Sequence, residues 1–128
     1  MSYDLNTEAG RKKLYADSAD LIEESPALNK GMYESDDTYD PATQEWVKQP
    51  GKCFCVVGAL GYLFAGGRYQ GAGAFSFDDS LAISTDLRKA IGLETTVPEF
   101  WFSDIYDWND ALERTKEEVV SALRKAAK

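Results

Sequence analysis

The chain has 128 residues, 44% of them hydrophobic and 12% aromatic, with 22 acidic residues against 14 basic ones and no histidine. That length and apolar content fit a single globular domain with a core of its own and exclude a disordered chain. A formal charge of -8 disfavours nucleic-acid binding, and the missing histidine excludes Ser-His-Asp and Cys-His catalytic arrangements.

Residues 7–24 predict a first helix. Asn6 or Thr7 can cap it, and Leu14, Ser18, Leu21 and Ile22 recur on one face. Ser25-Pro26 ends it, because the residue before proline avoids helical geometry. Residues 26–50 are polar and form an acidic loop or hairpin excursion within the domain 1–128. Met32-Tyr33 and Glu45-Trp46-Val47 can serve as the arms of a small β-hairpin within 31–49. Asp36, Thr38 and Asp40 have the start of a calcium loop, but Pro41 stands where glycine is needed and Val47 where glutamate is needed.

Cys53-Phe54-Cys55 is spaced too closely for an ordinary disulfide, and no histidine completes a zinc site. Both cysteines read as buried structural residues at the start of the apolar run Cys53–Ala65. That run predicts a buried helix over 54–65, in which Gly58 and Gly61 let another helix approach and Gly66-Gly67 form the stop. Arg68–Ala74 lacks a complete phosphate-binding motif and reads as a flexible connector. Ser76-Phe77-Asp78-Asp79 opens a helix over 77–91, with Ile83, Leu87, Ala90 and Ile91 inward and Gly92 as its stop.

Five large aromatics fall within the nine residues Phe100–Trp108, more apolar area than a loop can leave in water. Ser103 can cap a short helix through Trp108, which reads as a core anchor, with Asn109-Asp110 bonding to backbone groups of the 103–115 turn. Thr115-Lys116-Glu117-Glu118 is a capping box, and the last helix, 116–127, turns Val119, Val120, Leu123 and Ala127 inward. The fold class is therefore mainly α: a compact domain of four main helices plus the small hairpin.

Cys55-x-x-Gly58-Ala59-Leu60, Ile91-Gly92, Trp108-Asn109-Asp110 and Arg114-Thr115-x-x-Glu118-Val119, in this order, resemble an uncharacterised family. Its members are small proteins of actinobacteria and their phages, classed as a domain of unknown function. The resemblance covers roughly 9–24 and 53–127 and leaves 26–50 outside. It implies a compact, mostly helical fold and a phage or mobile-element origin, and it brings no activity, cofactor or catalytic residue.

Nine acids and a single base, Lys30, lie between Asp17 and Glu45. Such a surface can attract a basic protein or imitate DNA, and it also simply aids solubility. The functional expectation is a small cytoplasmic interaction protein, without catalysis or cofactor. It would bind a host protein of basic surface through Asp17, Asp20, Glu24, Asp36, Asp37 and Asp40. No stretch approaches the roughly 18 apolar residues of a membrane-spanning helix, and the first residues carry no secretory pattern. Two alternatives stay open. One is a small-ligand binder or carboxylate enzyme using a polar pocket of Asp107, Asn109, Asp110 and Arg114, where Asp104, Asp107 and Asp110 recur every three residues. The other is a virion component.

Overall fold

The computed structural model describes residues 3–40, 42–93 and 102–128. Its elements are α1 (Glu8–Glu24), β1 (Glu34–Asp40), β2 (Glu45–Phe54), α2 (Val56–Phe64), a 3-10 turn (Gly71–Ala74), α3 (Phe77–Ala90), α4 (Ser103–Asp110) and α5 (Lys116–Ala126). The described residues are thus mainly α, with five helices rather than four and one two-stranded antiparallel sheet. The one added to the expected four is α4, the short helix expected through Trp108, which lies within the aromatic run and continues to Asp110. Ser103 is its first residue and not its cap, a position taken by Phe102 without any side-chain bond.

Helix boundaries follow local chemistry. The Thr7 hydroxyl accepts from Gly10 N at the start of α1, and the Ser76 hydroxyl accepts from Asp79 N at the start of α3. Thr115 and Glu118 form the reciprocal capping box of α5. At the C-terminus of α2, Gly66 takes φ +75°, which lets Gly66 N reach Leu63 O and Gly67 N reach Tyr62 O. Gly92, at φ +82°, closes α3 in the same way.

The hairpin is longer than the residue pattern suggests. Asp36, Asp37 and Asp40 lie in strand β1 rather than in a turn, and the pairing runs from Asp40 with Glu45 to Glu34 with Phe54. A bulge interrupts it where Ser35 and Asp37 face Cys53 and Lys48, which leaves Pro50 outside the regular ladder. Beyond the bulge, Phe54 bridges back to Leu28, so the base of the hairpin is sewn to the end of the α1 connection.

α1 packs on α2 and α5, α3 on α5, and α4 on α2 and α3. One cluster forms the core, including Leu14, Tyr15 and Ile22 of α1, Val57 and Leu60 of α2, Ile83 and Leu87 of α3, Ile105 of α4, and Val119 and Leu123 of α5. Phe64, Phe75, Phe102 and Tyr106 continue it as a chain of ring contacts with centroids 5.2–6.3 Å apart. Phe100 and Trp101 lie outside the described residues. Trp108 is not the enclosed anchor that the sequence suggested. It packs against the core from the side, and the Arg114 guanidinium covers it 4.3 Å from the ring centroid.

The cysteines are free thiols, both buried. Cys53 is the last residue but one of β2, and Cys55 is the N-cap of α2, its sulfur accepting from Gly58 N at 3.2 Å. Burial pushes the Cys55 thiol up to about 12, so it stays protonated and unreactive at neutral pH. No described helix is long and apolar enough to cross a membrane.

Candidate functional site: a tyrosine cleft beside Asp110

Glycines bring three chain segments together around Tyr33. A β-carbon at Gly58 would collide with the Tyr33 carbonyl, and one at Gly71 would collide with the Tyr33 ring. A β-carbon at Gly61 would in turn strike the Gly71 carbonyl. Gly58 and Gly61 therefore admit a strand entry and a 3-10 turn, not a neighbouring helix. Arg68–Ala74 is likewise more than a connector, because Gly71 is buried beneath the Tyr33 ring at φ +54°. Tyr33 O accepts from Cys55 N at 3.0 Å, which joins the cap of α2 to the start of β1.

With Tyr33 so placed, Tyr69 comes in from the segment after α2 and Tyr106 from α4. The Tyr33 and Tyr69 rings meet edge to face with centroids 6.2 Å apart, and Tyr33 and Tyr106 are tilted at 6.0 Å. The Tyr33 and Tyr106 hydroxyls share a hydrogen bond of 2.8 Å. Burial and the Tyr33 hydroxyl raise the Tyr106 phenol above its ordinary range, which keeps it neutral. These rings, with Gly31, Met32, Cys55 and Asp110, line an open cleft of about 520 Å³. A second cleft of about 430 Å³ adjoins it and shares Gly31 and Asp110. Its other walls are Lys30, Tyr39, Trp46 and Leu112.

Asn109, which is buried and lines neither cleft, ties together the segments around them. Its Oδ1 accepts from Val56 N at 2.9 Å, and its Nδ2 donates to Asn29 O at 3.0 Å and to Asp110 Oδ1 at 2.9 Å. Asp110 Oδ1 also accepts from Gly31 N at 3.0 Å. Apart from the bond between the two side chains, these bonds go to the 29–31 segment and α2, not to backbone groups of the 103–115 turn. Lys30 reaches across to cap α4, its ammonium donating to Ala111 O at 2.6 Å and Leu112 O at 3.1 Å. Partial burial lowers the Lys30 ammonium, with Asp110 opposing.

Of the proposed polar pocket, Asp110 lines both clefts and buried Asn109 ties together the segments around them. Asp107 is exposed and lines neither cleft. Arg114 turns to Trp108 O at 2.9 Å and Glu118 at 2.8 Å. Asp104 pairs with buried Arg88 at 3.1 Å, so Asp104, Asp107 and Asp110 do not converge. Among the described residues no three His, Cys, Asp or Glu side chains form a metal-binding group.

The six acids of the supposed binding surface divide between two elements, Asp17, Asp20 and Glu24 on α1 and Asp36, Asp37 and Asp40 on β1. Bases from outside the acidic span reach several of them. Asp17 pairs with Lys13 at 3.1 Å, Asp20 with Arg124 at 3.0 Å, and Asp36 with Lys48 at 2.7 Å. Counting charge along the span missed these partners because they come from i–4, from α5 and from the facing strand. The tyrosines were missed for a related reason: they come from three segments with no shared periodicity. The one signal available was the glycines that flank Tyr69.

A family sequence profile matches residues 9–128, nearly the whole chain. The chain belongs to the family of unknown function DUF6197. The matched range includes the hairpin, so the 26–50 segment lies inside the DUF6197 region rather than outside it. No curated protein and no solved structure matches the chain.

Proposed function

We propose that the protein is a non-catalytic interaction protein whose partner seats on the paired clefts around Gly31 and Asp110. The observation that carries this reading is the continuity of the two clefts, which share those two residues beneath an exposed aromatic rim. Trp46 is 59% exposed and Tyr69 60%, and Met32, Tyr39 and Leu112, which also line the clefts, are exposed too, so exposed apolar groups gather at this place. Rings of this kind, fixed by packing at one edge and open at the other, are the usual anchors of protein interfaces.

The acids Asp17, Asp20, Glu24, Asp36, Asp37 and Asp40 act in this reading as a steering field for a partner of basic surface. The likeness of the motifs to proteins of actinobacteria and their phages supports a host protein as that partner, met in the cytoplasm. Neutral Tyr106 and protonated Cys55 support binding rather than turnover at the cleft. The test compares partner capture by the wild type, a Trp46→Ser/Tyr69→Ser variant, and a variant with Asp17 and Asp20 made Asn. Loss in the first variant with retention in the second is the expected result. The reverse pattern would return the site to the acidic surface.

A further inference from the structure

Resting on that reading of the cleft, we infer that the part lined by Tyr33, Tyr69, Tyr106 and Asp110 is an aromatic cage for an alkylated ammonium group. Three phenol rings from three chain segments line one cleft, and Tyr33 is fixed against Gly71 and by its bond to Tyr106. A cation is drawn to the negative face of such rings, and an ammonium carrying methyl groups also gains from the apolar walls.

Among the described residues, Asp110 is the one charged residue in this lining. Its Oδ1 is taken by Gly31 N and Asn109 Nδ2. Its Oδ2 has no partner among the described residues, so the carboxylate is held in place with one oxygen open. The nearby cation Lys30 lines only the adjoining cleft and spends its protons on Ala111 O and Leu112 O. An anion entering the cage would meet Asp110, with no base among the described lining residues to offset it. A volume of about 520 Å³ leaves room for the stem that carries the ammonium as well as the head. The ligand is therefore a methylated ammonium, presented either on a protein side chain or as a free small molecule.

The test is a titration followed by the ring signals of Tyr33, Tyr69 and Tyr106, using choline, its neutral isostere 3,3-dimethylbutanol, and a peptide with one trimethyl-lysine. Choline is expected to bind at least about tenfold more tightly than the isostere, which has the same shape without the charge. Tyr69→Leu and Asp110→Asn should each weaken choline several-fold. Asp110→Asn keeps the acceptor for Gly31 N, and Tyr69 is exposed, so both variants should fold as the wild type does. Tighter binding of the peptide than of choline assigns the source to a protein side chain, and the opposite order to a small molecule. Equal binding of choline and the isostere, or no binding of choline or the peptide, would overturn the cage. In either case partner capture that still depends on Tyr69 would leave the wider cleft reading standing.

Discussion

Asn109 Oδ1 accepts a hydrogen bond from Val56 N at 2.9 Å, so the last turn of α4 satisfies a free amide in the first turn of α2. The same side chain donates to Asn29 O, so one buried residue links three chain segments beside the cleft. Replacing it by alanine would leave a buried donor and a buried acceptor unpaired.

Asn109→Ala should therefore lower stability by about 2–4 kcal/mol. Asn109→Asp keeps the acceptor for Val56 N but presents no amide protons to Asn29 O. Both should unfold at lower urea than the wild type, with unchanged slope. A shift smaller than that of an exposed-site control such as Asp107→Ala would show that the clamp contributes little.

The glycines offer a sharper contrast. Gly58→Ala and Gly71→Ala should each cost about 2–4 kcal/mol, since the added carbon meets Tyr33 on its carbonyl or its ring and Gly71 also needs a positive φ. Gly73→Ala meets nothing closer than 3.9 Å and should be neutral or slightly stabilising. Thermal melts of the three variants check this ordering.

These contrasts mark what the residue order reveals about the fold. Thr7, Ser76, Gly92 and the Thr115–Glu118 box act within one helical turn, so their roles are legible from neighbours alone. Gly58, Gly71 and Asn109 act on residues tens of positions away, and nothing local announces them. Cys55 escaped notice as a cap because a thiol is an unusual acceptor at that position. Asp110 entered the candidate pocket through the three-residue recurrence of Asp104, Asp107 and Asp110, but its true neighbours, Gly31 and the tyrosines, come from other segments.

Trp108→Ala should cost about 1–2 kcal/mol, less than the roughly 3–5 of a fully enclosed aromatic, because the ring is only partly buried under Arg114. Chemical denaturation of Trp108→Ala beside Leu60→Ala decides the point. The Leu60 variant should be the weaker of the two.

Alkaline pH should destabilise the fold. Cys55 is raised from 9.0 to about 12 and Tyr3 from 10.0 to about 12, each first by burial. Both groups keep their protons longer when folded, so their contribution is present below the unfolded pKa and is lost as pH rises between about 9 and 12. Urea midpoints should be level from pH 7 to about 8.5 and fall above that. Thiol labelling of Cys55 at pH 8 should be slow in the native protein and fast in urea.

Where a partner sits is read most directly by photo-crosslinking. A photoreactive residue placed at Tyr69, on the cleft rim, and separately at Glu24, on the acidic face of α1, would be irradiated with the captured partner. The account predicts a covalent adduct from position 69 and none from position 24. An adduct from position 24 alone would contradict the cleft as the site of binding and place the partner on the acidic surface.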